Sequence, residues 1–365
     1  MAFVERIKDW GIKSVNKVYA MRYNHLSKIK AHKVLKQIET KRGSLSALLK
    51  KKADDYAVEE LGWNGYAPWL YVYTAIQGRF KDGWIPDNYY HLELLPEIQG
   101  DYGKISFLKP LNNILLKIPS NEDIAYFIHG EWFDSDYRPI PKKALRKLVL
   151  AKQDLVVFKL DHSYQGKGVF LRNTESFDLG ELEAKGNGTL QAYIHQHAFF
   201  KDFRSKAVAN IRMTTSISKE GKPVLSGCYL RLGRVRDFYV KSESHVRVPV
   251  DLVSGELCEE GYLADWSIID RHPDSKIKFS KKVIPQYREC VDFVRDLHTR
   301  MPMVKCIGWD IVVNTNERPT LIEWNGYGND INFSEATQGP CFANLGWKND
   351  RTPKVLGRHR RWFSP

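Results

Sequence analysis

The chain has 365 residues, of which 43% are hydrophobic and 27% are charged. No run approaches the roughly 20 consecutive apolar residues that a membrane-spanning helix needs. No short apolar stretch with a small-residue cleavage site follows Arg6 and Lys8, so the layout of a secretory signal is missing. These features exclude an integral membrane protein and favour a soluble, cytoplasmic one. The length predicts two or three structural units.

Five cysteines are spread along the chain: Cys228, Cys258, Cys290, Cys306 and Cys341. None forms a Cys-x-x-Cys pair, which argues against both a disulfide framework and a thiolate zinc site. We therefore expect ordinary reduced cysteines.

The net charge of +13 is concentrated at the two ends of the chain. Residues 1–52 carry +11 and residues 348–365 carry +5, whereas residues 53–347 carry −3. The body is therefore not expected to bind nucleic acid. The two basic ends suit an anionic surface such as the inner leaflet of a membrane, where each well-placed cation contributes about 1 kcal/mol.

The first 50 residues contain no proline and predict helices. Apolar residues recur there at three- and four-residue steps: Phe3, Ile7, Trp10, Ile12, Val15 and Tyr19. Such an amphipathic helix either packs on the protein core or lies on a membrane. Residues 61–110 are rich in aromatic residues and glycine and predict either loops packed by large rings or a substrate surface.

Short β-prone runs dominate the chain from residue 154 onward, which predicts a mixed α+β body. These runs are Leu155 to Leu160, Val169 to Arg172, Leu190 to Ile194, Ile211 to Ser216, Val224 to Arg231, Ile307 to Val313 and Thr320 to Trp324. One helix is predicted at about 282–300, with Val283 at the start of its apolar side.

The strongest chemical signal is a predicted β-hairpin formed by residues 308–325. If Val313 pairs with Thr320, then Asp310 faces Glu323 across the strands. Asn325 projects from the same face as Glu323, because side chains two apart on a strand share a face. Three oxygen donors then converge, and opposed carboxylates in apolar strands require a cation between them. Hard oxygen ligands in this number predict Mg²⁺, whereas the alternative is two carboxylates that merely face solvent.

A second signal is Lys159, a single cation inside the apolar run Leu155 to Leu160. A buried ammonium needs an anionic partner or a path to water, and a phosphate would supply the partner. The following Gly166, Lys167 and Gly168 would let backbone N–H groups turn toward an anion. This is not a Walker loop, because the required pattern is absent and a strand rather than a helix follows.

Together these ordered motifs resemble the ATP-grasp superfamily. The segments that contain Phe158 to Val169, Asn210 to Arg212, Leu230 to Gly233, Gly308 to Asp310 and Ile322 to Asn325 look most like its sugar-transfer-associated branch. The resemblance covers about residues 105–345. It implies an ATP-grasp fold of the α+β class, in which two α+β lobes sandwich ATP, with a helical, basic N-terminal extension.

The resemblance also implies roles for individual residues. Lys159 would contact the nucleotide phosphates, and Gly166, Lys167 and Gly168 would form a lid over them. The segment Gln191, Ala192, Tyr193 and Ile194 would hydrogen-bond adenine, and Asp310, Glu323 and Asn325 would hold Mg²⁺. Arg212, Arg231 and Arg234 would serve the transferring phosphoryl group and the substrate carboxylate. Residues 327–331 directly follow the predicted metal-binding strand, and this adjacency, rather than the resemblance, suggests that they shape an acceptor pocket.

Two features depart from the superfamily pattern. A second ATP-contacting lysine is usual on an earlier strand, and neither Lys117 nor Lys142 is preferred. No acidic ribose partner is evident, and His195, Gln196 or His197 would have to replace it. His195 and His197 alternate along a strand, so they cannot both face one site, and a structural or surface histidine is the favoured interpretation.

The resemblance organises the chain into four parts: a basic helical extension at 1–55, an aromatic-rich substrate region at 56–150, an ATP-grasp domain at 151–347 and a basic tail at 348–365. It implies an ATP- and Mg²⁺-dependent ligase that joins a carboxylate to an amine through an acyl phosphate, acting on a uronic acid or amino sugar in cell-surface polysaccharide synthesis. The partners would be these small-molecule or glycan substrates, with peripheral contact to the inner membrane. Two alternatives stay open: a kinase on the same fold, and a basic adaptor that does not use nucleotide.

Overall fold

The computed structural model describes residues 2–118, 122–152, 155–163, 168–175, 177–204, 207–237, 240 and 243–347. For residues 2–10, 12, 13 and 152 it describes the backbone alone. The predicted lid residues Gly166 and Lys167 and the basic tail at 348–365 therefore lie outside the described residues.

Three helices form an N-terminal layer: α1 (Ala2–Arg42), α2 (Ala47–Glu59) and α3 (Ala67–Gln77). The hydroxyl of Ser46 caps α2 by accepting a hydrogen bond from the Leu49 N–H at 3.3 Å. Gly78 ends α3 with a φ of 69°, a left-handed conformation that glycine adopts at little cost. The aromatic residues predicted to pack loops or form a substrate surface instead fill this layer, as Trp69, Tyr73 and Trp84 are buried there.

The second half of α1 docks on the protein core. Ala31, Val34, Leu35 and Ile38 are buried against the neighbouring helices. The Trp69 Nε1–H donates to the Ser27 hydroxyl at 2.8 Å. The two apolar residues of the predicted stripe whose side chains are described, Val15 and Tyr19, are exposed instead. The docked face therefore lies further along the helix than the predicted stripe.

Eight further helices are shorter or lie between strands: α4 (Asp87–Tyr89), α5 (Leu95–Gln99), α6 (Asn112–Leu116), α7 (Lys142–Lys152), α8 (Leu179–Glu183), α9 (Ala198–Lys201), α10 (Tyr287–Thr299) and α11 (Asn332–Thr337). Tight helical turns occur at Asn64–Tyr66, Tyr102–Phe107, Lys109–Leu111 and Ala343–Leu345, and a wider π-helical turn at Tyr90–Leu94.

The smaller of two sheets has five antiparallel strands in the order β2-β1-β5-β3-β4. They are β1 (Asp123–Ile128), β2 (Glu131–Asp134), β3 (Leu155–Leu160), β4 (Val169–Asn173) and β5 (Gly188–Ala192). Helices α7 and α8 cover this sheet and bury Leu145 and Leu182 against Val156 and Phe158. The sheet draws its first two strands from 123–134, within the range that the sequence assigned to the aromatic-rich region.

The larger sheet has seven antiparallel strands in the order β10-β9-β8-β7-β6-β11-β12. They are β6 (Asn210–Ile217), β7 (Pro223–Leu232), β8 (Val246–Pro249), β9 (Gly261–Tyr262), β10 (Ile268–Ile269), β11 (Cys306–Val313) and β12 (Pro319–Asn325). Helix α10 packs with this sheet, where Ile211 and Met213 join its apolar residues in one core. Because side chains alternate along a strand, Asn210 and Arg212 project from the opposite face of β6.

Helix α10 begins later than predicted. It starts at Tyr287, and Val283 is 51% exposed rather than on the apolar side. Pro285 explains the difference, because a proline disfavours helical backbone in the residue before it. The predicted α+β class, with two lobes and a helical N-terminal extension, is confirmed.

Candidate active site

The predicted hairpin is formed by β11 and β12, and it brings the predicted carboxylates together. Asp310 pairs with Glu323 and Gly308 pairs with Asn325. The starting pair was wrong, because Val313 faces Pro319 rather than Thr320. A register shift between Asp310 and Ile311 places an extra residue, Ile322, on β12 and restores the expected pairing at the carboxylates.

The extra residue Ile322 forms a β-bulge, and its carbonyl oxygen binds a lysine of the site. The Lys159 ammonium donates a hydrogen bond to the carbonyl oxygen of Ile322 at 2.9 Å. The contact joins β3 of the smaller sheet to β12 of the larger one. Burial lowers the pKa of Lys159 to about 8, although the nearby Glu323 carboxylate acts in the opposite direction.

Asp310 forms a buried ion pair with Arg212, which faces it on β6. Arg212 donates from Nε to Oδ1 at 2.6 Å and from Nη2 to Oδ2 at 3.0 Å. Nη1 of Arg231 lies 3.6 Å from the same Oδ2. Burial alone would raise the pKa of Asp310, but the two guanidinium groups outweigh it and hold that pKa below its usual value.

Glu323 has a different cation. Nζ of Lys109 lies 2.7 Å from its Oε1, and the Glu323 side chain is 34% exposed whereas that of Lys109 is almost fully buried. The backbone N–H of Lys109 donates to Asp161 Oδ1 at 3.0 Å, which fixes the turn that carries the lysine. The hairpin thus pairs one carboxylate with an arginine and the other with a lysine.

These groups line a cavity of about 720 Å³ between the two sheets. Its basic lining residues are Lys30, Lys109, Lys159, Arg212, Arg231 and Arg247, and its acidic ones are Glu243, Asp310, Glu323 and Asp330. The described lining therefore carries more cations than carboxylates. A concave site of this size and charge suits a polyanionic ligand.

The wall formed by the smaller sheet is mostly apolar, with Val157, Val169, Leu171 and Ala192. All four residues of the predicted adenine-binding segment, Gln191 to Ile194, line the cavity beside them. The backbone N–H groups of Ala192 and Tyr193 already donate within the protein, to Glu122 and Leu155. A flat aromatic base would fit against this apolar wall.

The segment after the hairpin also contributes. Gly328 and Asp330 line the cavity, and Asn329 is fully buried behind it. Asn329 Oδ1 accepts a hydrogen bond from Arg212 Nη1 at 3.4 Å. Glycine is required at position 308 on β11, because a Cβ there would lie 2.1 Å from that Asn329 oxygen.

Several residues singled out from the sequence lie away from the cavity. Arg234 pairs with Asp274, with Nε and Nη2 at 2.8 and 2.7 Å from its carboxylate oxygens, and does not line the cavity. Lys142 pairs with Glu183 on the outside of the smaller sheet. Lys117 ends α6 with a left-handed backbone. Neither lysine lines the cavity.

The three residues considered for the ribose also point elsewhere. The ring of His197 accepts a hydrogen bond from the Phe199 N–H at 3.1 Å and caps α9. The side chain of Gln196 accepts from the Ala209 N–H at 2.8 Å. Neither these two residues nor His195 line the cavity.

Gly168, the one described residue of the predicted lid, stands at the start of β4. Its carbonyl accepts a hydrogen bond from the Leu160 N–H at 2.9 Å. A Cβ at this position would lie 2.3 Å from that of Ser163, so the close approach of the turn after β3 requires glycine.

Sequence reasoning missed three cations of the cavity: Lys30, Lys109 and Arg247. Nothing in the sequence marks Lys109, because it lies in a short helical turn and meets Glu323 only through the tertiary fold. Arg247 carried a usable signal. It stands alone between Val246 and Val248 in a β-prone run, which is the pattern that identified Lys159.

The oxygen donors of the hairpin fit a magnesium ion. Asn325 donates from Nδ2 to the Gly308 carbonyl at 3.3 Å, which leaves its side-chain oxygen as a donor atom, and Glu323 has a second carboxylate oxygen beyond the one paired with Lys109. Arg212 uses one lone pair on each oxygen of Asp310, and a carboxylate has about four. Among the described residues, no group of three His, Cys, Asp or Glu side chains is placed to hold a metal, so water and ligand oxygens would have to complete the coordination.

Comparison with known proteins gives one family match. The model of the sugar-transfer associated ATP-grasp family matches residues 179–345, which contain the larger sheet and the hairpin. This confirms the resemblance for the motifs from Asn210 to Asn325. The predicted range began at about residue 105, and its Phe158 to Val169 motif lies outside the match. No curated protein sequence matches the chain significantly.

Solved structures that align with this chain include an N5-carboxyaminoimidazole ribonucleotide synthetase in complex with ADP, at 10% identity over 71% of this chain and 57% of that one, with a TM-score of 0.39. A biotin carboxylase from Campylobacter jejuni shows 10% identity over 81% and 53%, with a TM-score of 0.39. An L-amino acid ligase from Bacillus licheniformis shows 10% identity over 77% and 52%, with a TM-score of 0.34. The chain spans little more than half the length of these structures.

Proposed function

We propose that this protein is an ATP- and Mg²⁺-dependent ligase that joins a carboxylate to an amine. The observation that supports this most strongly is the row formed by Glu323, Asp310 and Arg212 across three adjacent strands, on the wall of a cavity that also contains Lys109 and Lys159. It places oxygen donors beside a surplus of cations, as a nucleoside triphosphate requires. The family description names only an association with sugar transfer, and from it we propose a sugar acid or amino sugar of cell-surface polysaccharide synthesis as the substrate.

Each wall of the cavity has a part in this proposal. Lys159 and Lys109 neutralise the nucleotide phosphates, and the apolar wall at Gln191 to Ile194 receives adenine. Glu323, Asn325 and the remaining lone pairs of Asp310 hold the metal. Bound there, Mg²⁺ supplies positive charge at the phosphate oxygens. Arg212 is held in place by Asp310 and Asn329, so it presents a fixed charge without further reorganisation.

The reaction proceeds in two steps. A carboxylate oxygen of the substrate bonds to the γ-phosphorus of ATP while the bond to the β-phosphate oxygen breaks, giving ADP and an acyl phosphate. The amine then attacks the acyl carbon, the carbon–oxygen bond to phosphate breaks, and the amine loses one proton. Arg212 and Arg231 stabilise the negative charge that develops in both steps, because both guanidinium groups line the cavity next to Asp310.

The test follows the phosphate. We expect the purified protein to bind Mg·ADP in calorimetry, and to release free phosphate from ATP only when a uronic acid and an amine are both supplied. Glu323→Gln should abolish both the binding of Mg·ADP and the release of phosphate. Lys142→Met, at a lysine outside the cavity, should leave both unchanged. Phosphate retained on a hydroxyl of the product would instead identify a kinase. An unaltered Glu323→Gln protein would refute an ATP-dependent reaction at this site.

We also propose that α1 attaches the protein to an anionic membrane surface. Exposed apolar residues share one side of this helix, opposite its buried residues: Val15, Val18, Leu26 and Ile29. Three exposed cations extend the same side: Arg22, Lys33 and Lys36. An apolar stripe flanked by cations is the pattern of helices that lie in the membrane interface. None of the described helices combines the length and apolarity of a membrane span.

Sedimentation with vesicles tests this attachment. We expect the protein to sediment with phosphatidylcholine vesicles that contain phosphatidylglycerol, and much less with phosphatidylcholine alone. The double substitution Leu26→Glu and Ile29→Glu should weaken binding about tenfold or more, because it removes two apolar anchors and adds repulsion. Val253→Glu, at an exposed apolar residue far along the chain, is the matched control. Equal binding by the double variant would contradict the proposal.

A further inference from the structure

A second row of polar side chains crosses the larger sheet beside the row that contains Asp310. Asn210 on β6 faces Arg231 on β7, and Arg231 faces Arg247 on β8. Directly opposed residues share a face of the sheet, with Cβ atoms about 5 Å apart. All three line the cavity. The row extends from the ion pair of Asp310 toward the N-terminal helical layer.

Arg247 differs from Arg212 and Arg234 in that no carboxylate of the described residues forms an ion pair with it. The residue is 6% exposed, and its guanidinium packs on two adjacent aromatic rings, 4.5 Å from the centre of Trp266 and 4.4 Å from that of Phe333. Among the described residues, its Nε and Nη2 make no hydrogen bond. Burial lowers the pKa of Arg247, although Asp330 is near enough to act in the opposite direction.

Arg212 and Arg234 each bind a carboxylate, whereas Arg247 has no such partner among the described residues. Arg212 binds Asp310 and Arg234 binds Asp274 through the same two nitrogens, Nε and Nη2, each to a pair of carboxylate oxygens. In Arg247 this pair of donors is buried and unmatched within the described part of the chain. A buried cation without a partner destabilises the folded protein, and a bound anion offsets this cost.

Within the described residues, Asn210 has a buried hydrogen-bond acceptor without a donor, whereas Arg247 has buried donors without an acceptor. The residue is 9% exposed, and its side-chain oxygen makes no hydrogen bond to the described residues. This acceptor and the donors of Arg247 lie on either side of Arg231 in one row. Lys30 of α1 also lines the cavity, so the helical extension contributes to the same space.

We propose that Arg247 anchors an anionic group, a carboxylate or a phosphate, of the substrate that reacts with the nucleotide, and that the Asn210 side-chain oxygen accepts a hydrogen bond from a hydroxyl or amine of the same molecule. The rings of Trp266 and Phe333 meet edge to face and both contact the guanidinium, which restricts its position, and the forked donors of an arginine suit paired oxygen atoms. The assignment of this molecule as a substrate rests on the proposed function, but the binding of an anion at Arg247 does not.

The experiment measures anion binding by the full chain in the presence of Mg·ADP. The probes are sodium phosphate and sodium glucuronate, each compared with sodium chloride at equal ionic strength, and the readout is the anion-dependent rise in melting temperature. We expect wild-type protein to respond to at least one probe. Arg247→Met should weaken that response about tenfold or more in concentration, whereas Arg234→Met should preserve it. If Arg247→Met does not fold, Arg247→Lys should weaken the response severalfold, because it keeps the charge and loses the paired donors.

The possible results distinguish a phosphate ligand from a carboxylate ligand, and they test the anion site separately from the proposed function. A response to phosphate alone identifies a phosphorylated substrate, and a response to glucuronate alone identifies a carboxylate. Wild-type protein that ignores both anions, or an Arg247 variant that responds like wild type, would overturn the inference. Failure to bind Mg·ADP would refute the proposed function, and the comparison between wild type and the Arg247 variant would still report on the anion site.

Discussion

Lys159 makes the affinity of this cavity for nucleotide depend on pH in a way that can be calculated. Its pKa is lowered to about 8 by burial, so the ammonium loses its proton well below the usual range for lysine. A phosphate group beside it favours the charged form and restores the higher pKa. Binding of Mg·ADP above about pH 8 must therefore take up a proton.

The size of the effect follows from linkage. If only the protonated lysine binds nucleotide, the dissociation constant rises by the ratio of total to protonated Lys159. Between about pH 7 and about pH 9.5 this ratio increases about 30-fold. The phosphates of ADP contribute little to this change, because their last ionisation lies near pH 6.

Calorimetry at several pH values, in buffers with different ionisation enthalpies, measures both the dissociation constant and the proton uptake. At about pH 9 we expect uptake of about one proton per nucleotide. Lys159→Met should bind more weakly at neutral pH and lose the pH dependence. Lys142→Met, at the exposed lysine paired with Glu183, is the matched control and should behave like wild type.

A wild-type affinity that stays constant from about pH 7 to about pH 9.5 would refute this reasoning. It would mean that Lys159 does not contact the phosphates, or that its environment in the complex matches that in the free protein. Retention of the full pH dependence in the Lys159→Met variant would assign the titration to another group.

Two further predictions concern the support of Arg212. Asp310→Asn leaves the Arg212 guanidinium buried without the carboxylate it pairs with, so the free energy of unfolding in urea should fall by about 3 to 5 kcal/mol. Adding Arg212→Met to this variant should restore much of the lost stability. A loss below about 1 kcal/mol in Asp310→Asn would contradict the buried ion pair. Gly308→Ala places a methyl group 2.1 Å from the Asn329 oxygen, so the free energy of unfolding should fall by about 1 to 3 kcal/mol and phosphate release should slow. Unchanged stability and rate would show that Asn329 moves freely.

The sequence alone predicted seven of the strands, but not β8, which carries Arg247. Seven β-prone runs correspond to seven observed strands, and β3 has the predicted bounds. Such runs are local, because alternation and β-branched residues report burial within a few residues. The facing of Asp310 and Glu323 was predicted from a loop pairing that was one residue off. It is correct because the extra residue Ile322, which no sequence pattern marked, restores the register at the carboxylates.

The tertiary structure decided which cations meet these carboxylates. Arg212 reaches Asp310 through strand pairing across about 100 residues of chain, and Lys109 reaches Glu323 from a turn that has no distinctive pattern. Arg234, a plausible candidate by sequence, instead pairs with Asp274. The physical reason is that an ion pair depends on distances between chain segments, and these distances are set by sheet order and packing rather than by the residues next to each charge.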